Sequence, residues 1–435
     1  MNTFLAERRA RVGAALPLGD ALLVVGSGVP VPLPEGSDQT YPFRAHSEYY
    51  YLAANEPVDA VVAFDPRDAA KGGRTDAGWE LFVPEVTEGE RVWEGRTQMP
   101  GRLRGEFAAW LQQRAGRPVV ALGAPVAGVV ANPALAENVR RAFTHARRPK
   151  DAGEIARLRR AAAATANGFN AMPGLLRAGV TERQLQIELE AGFFRGGGTR
   201  TGFGTIVGSG PNSAVLHFEP SDRAVRAGEF VLIDAGAEVD RYTADVTRTF
   251  FVGTPTGLQR DLYRLVLQAE ENTIARCRPG AEWKDIHFAA ARDMVMGLVE
   301  IGVMRGDPAT LIEREAHFLF FPHGVGHMVG LGVRDGSGLA PGRTKDPRPS
   351  LKSLRMDLPL APGYVVTAEP GLYFVPPLLN DPARRERYRD CINWALVDAN
   401  LHIGGVRIED DVLVTDGAPE VLTAAIPKAF TAVNA

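Results

Sequence analysis

The sequence predicts a protein of mixed α and β structure, class α/β (α+β), built from two domains, and three observations lead to this prediction. Its 435 residues are enough for two or three domains. Hydrophobic residues make up 45% and charged residues 23%, as in ordinary globular proteins. A basic segment over 145–150 runs directly into a strong helical pattern, so we place the domain boundary between residues 147 and 148.

The first domain, residues 1–147, is predicted to alternate strands and helices. An amphipathic helix opens it, since Phe4, Leu5 and Val12 are interspersed with charged residues. Apolar runs predict strands over 21–26, 60–64, 80–83 and 119–122. Helical periodicity predicts helices over 101–114 and 133–142. These elements indicate a small α/β domain.

The second domain, residues 148–435, is predicted to begin with long helices and continue with strands. One helix starts after Asp151. Thr181 and Thr256 are each followed three residues later by Gln, the spacing of a capping box, so each predicts a helix start. A further helix is predicted over 283–301.

Charge and composition exclude several classes of protein. A net charge of −3 and a pI near 6.3 argue against nucleic acid as the main partner, because phosphate binding needs a basic excess. The two cysteines are far apart, which indicates a reducing compartment. No apolar run reaches the length of about 18 residues that predicts a membrane span. We therefore expect a cytoplasmic protein.

Two β-rich runs carry the first candidate site. Asp234 lies in the first run and Asp245 at the start of the second. If the runs form a hairpin that closes at residues 239–240, Asp234 lies directly opposite Asp245. Two facing carboxylates repel each other, and a divalent cation would offset that repulsion. A carboxylate that faces solvent or caps a turn explains this pair equally well.

His323 and His327 form the second candidate site. Gly324 and Gly326 separate them and Pro322 precedes them, and each interior glycine costs a helix about 1 kcal/mol. We therefore predict extended or turning backbone here, suited to close approach of a ligand or metal. A structural role for one of the two histidines stays open.

Two glutamates complete the set. Glu369 and Glu409 each lie in or beside an apolar β-run, where an unpaired carboxylate is costly, although a solvated strand face would also accommodate either one. Two aspartates, two glutamates and at least one histidine suit a pair of divalent ions. Paired ions about 3.5–4 Å apart are typical of metal-assisted hydrolysis.

The sequence resembles the pita-bread metallopeptidases, the group that includes methionine aminopeptidase, aminopeptidase P, prolidase and creatinase. The ordered set Asp234, Asp245, His327, Glu369 and Glu409 matches the five metal ligands of that family, within the neighbourhoods IDAG, DVTRTF, HGVGH, EPGLY and RIEDD. The match covers about 200–415, and the segment 38–47 resembles the N-terminal domain of aminopeptidase P and prolidase. The resemblance implies a pita-bread catalytic domain preceded by an α/β domain.

The resemblance also implies a cofactor and a reaction. Two divalent ions are expected, with Mn²⁺ favoured and Co²⁺, Zn²⁺ or Fe²⁺ as alternatives. Asp245 and Glu409 would bridge the ions, Asp234 would complete one site, and His327 with Glu369 would complete the other. A bridging hydroxide would attack the carbonyl of an Xaa-Pro bond, and Glu369 would carry its proton.

Other residues take roles from the same resemblance. His217 matches a histidine on the proline side of the pocket, His323 one near the scissile bond, and Arg407 an arginine that supports the site. Tyr373 is expected to bind substrate. The chain departs from the family at Arg334, where a histidine is usual and where the arginine could contact substrate.

A second departure is Phe203, where a tyrosine is usual. Arg355 resembles the prolidase arginine that binds the free carboxylate of proline, so a prolidase acting on Xaa-Pro dipeptides is expected. The alternatives are an aminopeptidase P that acts on longer peptides and a non-catalytic pita-bread binding protein. A homodimer is expected, in which Asp38 and Trp93 of one subunit complete the pocket of the other.

Overall fold

The computed structural model describes residues 3–34 and 39–433. The chain divides into two compact units, Met1–Arg147 and Arg148–Ala435. Both units combine helices with strands, so the predicted mixed fold class is confirmed.

The first unit contains a five-stranded sheet in the order β4-β3-β2-β1-β5. Its strands are β1 (Leu22–Gly26), β2 (Val61–Phe64), β3 (Trp79–Val83), β4 (Arg102–Leu103) and β5 (Val119–Gly123). Its helices are α1 (Thr3–Ala15), α2 (Ser47–Ala53), α3 (Pro66–Ala70), α4 (Glu88–Glu94), α5 (Phe107–Gln112) and α6 (Pro133–Ala146). β1 pairs antiparallel with β2 and parallel with β5, and aromatic residues of α5 pack on this sheet.

One predicted helix of this unit is shorter than expected. The pattern over 101–114 predicts a single helix, but Arg102–Leu103 adds a short parallel strand to the edge of β3, and a 3-10 turn follows. The α-helix itself begins at Phe107. Backbone pairing with an available sheet edge outweighs local helical periodicity here.

The second unit is longer and carries the candidate site. Its helices are α7 (Ala152–Phe169), α8 (Met172–Leu175), α9 (Glu182–Arg195), α10 (Gly257–Arg276), α11 (Trp283–Glu300), α12 (Pro308–Glu313), α13 (Pro376–Leu379), α14 (Pro382–Arg387) and α15 (Trp394–Ala399). Its strands are β6 (Arg200–Thr201), β7 (Ile206–Ser209), β8 (Glu229–Ala235), β9 (Ala237–Val239), β10 (Tyr242–Thr243), β11 (Val246–Val252), β12 (Gly338–Leu339), β13 (Met356–Asp357), β14 (Val365–Ala368), β15 (Gly371–Tyr373), β16 (Gly405–Arg407), β17 (Asp410–Leu413), β18 (Glu420–Val421) and β19 (Ala432–Val433).

The three predicted helix starts of this unit are confirmed. Asp151, Thr181 and Thr256 each cap their helix through a complete capping box, in which the cap side chain and the third helical residue bond to each other's backbone. Each box satisfies two N–H groups that would otherwise lack partners.

The strands of this unit form several small sheets. The largest has the order β19-β11-β8-β7, and a second has the order β14-β17-β18. β15 and β16 form a separate pair. Helices α10 and α11 bury Val266, Trp283 and Val295 in the core that also contains Phe230 and Phe251 of the largest sheet. Burial of each such side chain stabilises the fold by about 1.5–3 kcal/mol, which fixes the strands that carry the site.

Two further predictions concern the cysteines and the membrane. Cys277 and Cys391 are both buried and free. Among the described residues, none of the helices combines the length and the apolar character that a membrane crossing requires.

Candidate active site

Asp234 and Asp245 lie on the hairpin of β8 to β11, but not in the predicted register. β9 and β10 are joined by a two-residue turn at Asp240 and Arg241, whose φ angles of 49° and 71° are both left-handed. The predicted closure at residues 239–240 is therefore wrong, and Asp234 pairs with Thr247. Residues two apart share one face of a strand, so Asp245 is the diagonal neighbour of Asp234 on that face.

The backbone between His323 and His327 is not helical, as predicted. Gly326 has a φ of 153°, and a Cβ there would lie 2.1 Å from the carbonyl oxygen of Thr367. The His327 N–H donates to the Thr367 hydroxyl at 3.0 Å. Glycine at 326 thus lets the histidine segment lie directly against the strand that leads to Glu369.

The two glutamates reach the same place from separate strands. Glu369 follows β14, and its N–H donates to the Val325 carbonyl at 2.9 Å. Glu409 lies between β16 and β17, and its N–H donates to the Thr247 carbonyl at 3.1 Å. These backbone bonds bring together side chains that are far apart in the sequence.

Three of the five predicted ligands converge on one point, and a fourth, Glu369, lies beside His327. Ligand atoms of Asp245, His327 and Glu409 all lie within 4.8 Å of one another. Nε2 of His327 is 3.4 Å from Asp245 and 3.7 Å from Glu369. His327 Nδ1 donates to the Met328 carbonyl at 3.1 Å, which leaves the Nε2 lone pair facing the carboxylates.

The buried carboxylates of this cluster repel one another, and a bound cation would offset that repulsion. Burial and the neighbouring carboxylates raise the pKa of Asp234 to about 7, and the same causes raise the pKa values of Glu369 and Glu409. Burial alone would lower the pKa of His327, but Asp245 and Glu369 outweigh it and raise the value. Asp234 Oδ1 is buried without a hydrogen-bond partner among the described residues. Clustered carboxylate oxygens, an imidazole nitrogen that faces them and a buried oxygen without a hydrogen-bond partner fit divalent metal ions.

Arg407 is the centre of the hydrogen-bond network behind these ligands. Its buried guanidinium donates to Asp234 Oδ2 at 2.6 Å, to the Tyr373 hydroxyl at 2.8 Å and to Thr247 Oγ1 at 2.9 Å. Thr247 in turn donates to Glu409 Oε2 at 2.6 Å. Arg407 therefore fixes one candidate ligand directly and another through Thr247. Thr247 is not among the site residues predicted from the sequence. The signal that could have identified it is its position two residues after Asp245, on the same strand face.

His323 is held by Tyr373. The Tyr373 hydroxyl donates to His323 Nε2 at 2.9 Å, and His323 Nδ1 donates to the Gly324 carbonyl at 2.8 Å. Burial and the Arg407 charge lower the pKa of His323 to about 3, so the ring is neutral. A Cβ at Gly371 would lie 2.4 Å from the Tyr373 hydroxyl, so only glycine leaves room for this contact.

These groups face a cavity of about 510 Å³. Of the predicted site residues, the cavity wall includes Asp234, Asp245, His327, Glu369, Glu409, His217, His323, Arg334, Arg355 and Arg407. Its apolar wall includes Phe203, Ile206, Leu216, Phe218 and Val333. Tyr373 is fully buried and does not line the cavity, so the structure places it behind His323 and not in contact with a ligand there.

Arg334 and Arg355 come from neighbouring segments. Arg355 immediately precedes β13, which pairs parallel with β12 four residues after Arg334. Within the described part of the chain, neither guanidinium has an ion-pair partner, and both are exposed to solvent. Desolvation and the charges of Arg407, Arg334 and Arg355 lower the pKa of His217. One side of the cavity is therefore positively charged.

The remaining two predicted residues, Asp38 and Trp93, belong to the first unit. Asp38 lies outside the described residues. Trp93 lies on α4 of the first unit with 88% of its surface exposed.

Comparison with known families identifies the chain. The sequence profile of Metallopeptidase family M24 matches residues 156–416, and that of the aminopeptidase P N-terminal domain matches residues 5–109. The chain belongs to metallopeptidase family M24. As a member of M24 it is a metal-dependent hydrolase, and the predicted recognition of this family is confirmed.

Relatives of this M24 enzyme match its sequence over nearly the whole chain. Xaa-Pro aminopeptidase 2 of Streptomyces coelicolor is 32% identical over 99% of this chain and 90% of its own length. Xaa-Pro aminopeptidase 1 of the same organism is 33% identical over 97% and 84%.

Solved structures of aminopeptidases have the same fold as this chain. The Pseudomonas aeruginosa aminopeptidase PepP superposes with a TM-score of 0.77 and 27% identity, covering 99% of this chain and 96% of the other. Aminopeptidase P from E. coli with the inhibitor Pro-Leu gives 0.76 and 28%, covering 97% and 94%. The expected pita-bread catalytic domain with its N-terminal α/β domain is confirmed.

Proposed function

We propose that this M24 enzyme is an Xaa-Pro aminopeptidase, which hydrolyses the bond before proline and releases the N-terminal residue of a peptide. The observation that carries the proposal is the cluster of Asp245, His327 and Glu409 in the wall of a cavity large enough for a short peptide. The relatives described above, which match nearly the whole chain, are named Xaa-Pro aminopeptidases. They favour an aminopeptidase over the dipeptidase that the sequence led us to expect.

Each residue of the site has a proposed role in this reaction. Asp234, Asp245, His327, Glu369 and Glu409 would hold two divalent ions, for which we propose Mn²⁺. Such ions, when bound, would polarise the scissile carbonyl and lower the pKa of a water. Glu369 is the most exposed of the four carboxylates, with 18% of its side chain accessible, so it is best placed to accept a proton at Oε2 and pass it to the leaving proline nitrogen.

The surrounding residues position the substrate. His217 and His323 line the cavity beside Glu369, with His323 Nδ1 3.9 Å from Glu369 Oε2. Arg407 keeps Asp234 and Tyr373 in place from behind. His323 is neutral, and both of its ring nitrogens are hydrogen-bonded, to Tyr373 and to the Gly324 carbonyl, so it adds no charge to the cavity wall beside Glu369.

Product analysis tests the proposal. The enzyme loaded with Mn²⁺ should release Leu from Leu-Pro-Gly but leave Leu-Ala-Gly intact, and a chelator should remove the activity. Glu369→Gln should reduce turnover by several orders of magnitude. Activity that survives the chelator, or equal cleavage of the two tripeptides, would contradict the proposal.

Dipeptide hydrolysis is a second candidate, and the pair Arg334 and Arg355 favours it. Two guanidiniums without an acidic partner suit a free carboxylate near proline. The Arg355 side chain is exposed to solvent, however, so each of its ion pairs is weakened by water. Exposed ion pairs contribute up to about 1 kcal/mol each, so the two arginines together would favour a free acid over its amide by at most about thirty-fold.

Matched acids and amides separate charge from length. We would compare Leu-Pro with Leu-Pro-NH₂, and Leu-Pro-Gly with Leu-Pro-Gly-NH₂, by kcat/KM. A dipeptidase should prefer the dipeptide acid. Arg355→Ala or Arg334→Ala should each reduce that preference and the double variant should erase it, while the surface control Arg389→Ala should leave it unchanged. Efficient cleavage of both tripeptide forms, with little turnover of the dipeptide acid, would leave only the aminopeptidase.

We further propose a homodimer in which Asp38 and Trp93 contribute to the partner's pocket. The exposed apolar pair Val92 and Trp93 on α4 supports a contact there. Light scattering should give twice the monomer mass, and Trp93→Ala should lower activity. A fully active monomer would contradict this proposal.

A further inference from the structure

Three consecutive acidic residues run through the candidate metal centre, and all three are buried. Glu409 is a proposed ligand, and Asp410 and Asp411 follow it into β17. A buried carboxylate without a compensating cation is strongly unfavourable. Asp410 must therefore be neutralised by the protein, since its side chain does not belong to the ligand cluster.

Arg248 supplies the first cation. Its guanidinium donates to Asp410 Oδ1 at 2.7 Å and to the Glu409 carbonyl at 2.7 Å. It also donates to the carbonyls of Ile426 at 2.8 Å and Pro427 at 3.0 Å. A fifth bond goes to the Thr247 carbonyl at 2.9 Å, so all five guanidinium N–H groups are used. One side chain thus connects the backbone of Glu409 to the C-terminal segment 426–428.

Lys428 supplies the second cation. Its ammonium donates to both oxygens of Glu270, each at 2.8 Å, and to Asp410 Oδ2 at 2.9 Å. Glu270 lies on α10 and is completely buried. The three ammonium protons are therefore all engaged, and Lys428 bridges two buried acidic side chains.

The C-terminal segment is itself fixed to β11, the strand that follows Asp245. The Tyr263 hydroxyl donates to the Lys428 carbonyl at 3.0 Å. The Phe251 N–H donates to the Thr431 carbonyl at 3.1 Å, and β19 pairs parallel with β11. Lys428 is thus held in one geometry by contacts on both sides.

We infer that Lys428 is a positioning residue for the metal centre. It holds Asp410, and Asp410 with Arg248 fixes the backbone of Glu409, whose carboxylate Thr247 orients at 2.6 Å. Lys428 lies beyond residue 416, where the M24 profile match ends, so the hydrogen-bond network that reaches Glu409 extends past the matched region. The inference rests on the proposed role of Glu409 as a ligand, but not on the identity of the peptide substrate.

A purely structural role for Lys428 makes a different prediction. If the lysine only tied the C-terminal segment down, its loss would lower the melting temperature without changing the affinity for metal. If it positions Glu409, metal affinity falls as well. Outer contacts of this kind change metal affinity by about 10- to 100-fold when they are removed.

Calorimetric titration of the chelator-treated protein with Mn²⁺ alone tests the inference. Lys428→Met should weaken Mn²⁺ binding about 10- to 100-fold. Lys428→Arg, which keeps a cation, should recover most of the affinity. The control is Arg276→Met, on the same helix as Glu270. It breaks the 2.7 Å ion pair between Arg276 and Asp293, neither of which is a proposed ligand. It should lower the melting temperature and leave the Mn²⁺ dissociation constant unchanged.

Several results would overturn the inference. Wild-type Mn²⁺ affinity in Lys428→Met, with a lower melting temperature, would assign the lysine a structural role only. If Lys428→Met does not fold, Asp410→Asn replaces it, and wild-type affinity in that variant would also refute the inference. A wild-type protein that takes up no Mn²⁺ would overturn the inference together with the metal centre. An enzyme that binds Mn²⁺ but cleaves no Xaa-Pro peptide would refute only the proposed function.

Discussion

Removing the hydroxyl of Tyr373 is the smallest change that interrupts the contacts between Arg407 and His323. Tyr373→Phe keeps the ring, which packs in a fully buried position, and deletes one oxygen. That oxygen accepts from Arg407 at 2.8 Å and donates to His323 at 2.9 Å. The variant therefore leaves one buried charged donor and one buried imidazole nitrogen without their partner.

The magnitude follows from these two contacts. A buried polar group that loses its partner costs about 1–3 kcal/mol, so two such groups cost up to about 6 kcal/mol. Part of this cost destabilises the fold. Each kcal/mol of lost stability lowers the melting temperature by about 2–4 °C in domains of roughly 150–250 residues. The rest falls on catalysis, because His323 is no longer held beside Glu369. We expect kcat to fall about 10- to 100-fold, as for other contacts that orient an active-site group.

The assay compares kcat, KM and melting temperature for Tyr373→Phe and for Tyr388→Phe. Tyr388 is also buried, and its hydroxyl donates to the Arg314 carbonyl at 3.0 Å, but it does not line the cavity. The control should lose stability and keep wild-type kcat on Leu-Pro-Gly. If Tyr373→Phe also kept wild-type kcat, the assignment of Tyr373 as the residue that orients His323 would be wrong.

Three further predictions concern metal, pH and the first unit. Glu409→Ala or Asp245→Ala should lower the bound metal measured by plasma emission and abolish hydrolysis; two retained ions would contradict the ligand assignment. Because burial raises the pKa of Asp234 to about 7, the metal-free site holds protons that metal must displace. The rise above the ordinary value near 4 stabilises the metal-free fold at low pH and is lost as pH rises towards 7. Mn²⁺ should therefore raise the melting temperature more at pH 8 than at pH 5.5, and an equal increase at both would refute this. In the first unit, burial opposes ionisation of Asp65, but hydrogen bonds from Arg117 and Arg114 outweigh it and hold its pKa below the usual range. Asp65→Asn should lower the melting temperature at pH 7, and the difference should shrink as pH falls below about 4; an unchanged difference would refute the ion-pair explanation.

Local chemistry could be predicted from the sequence where it depends on neighbouring residues. Capping boxes at Asp151, Thr181 and Thr256 need only four residues each, and all three helices begin where predicted. The non-helical backbone between His323 and His327 follows from the glycines between them. These signals lie within a few residues of the feature they specify.

Register and long-range contacts could not be predicted in the same way. The turn at Asp240 and Arg241 adopts left-handed φ angles without the glycine or asparagine that usually marks such a turn. The turn could therefore not be located from the sequence, and the predicted register of the hairpin differs from the observed one by two residues. The burial of Tyr373 depends on glycines at 371 and 405, the second of which is 32 residues away in sequence. No local pattern distinguishes a tyrosine behind the cavity from one in its wall.

The bridge between Thr247 and Glu409 has a consequence for the order of events in biosynthesis. The two residues are 162 positions apart in the sequence. A nascent chain on the ribosome carries Asp234 and Asp245 long before it carries Glu409. If these residues hold metal, the full ligand set exists only once residue 409 has been synthesised, and the stability that metal adds cannot arise before then. A truncation that removes Glu409 should leave a chain with four of the five proposed ligands and weaker metal-linked stabilisation.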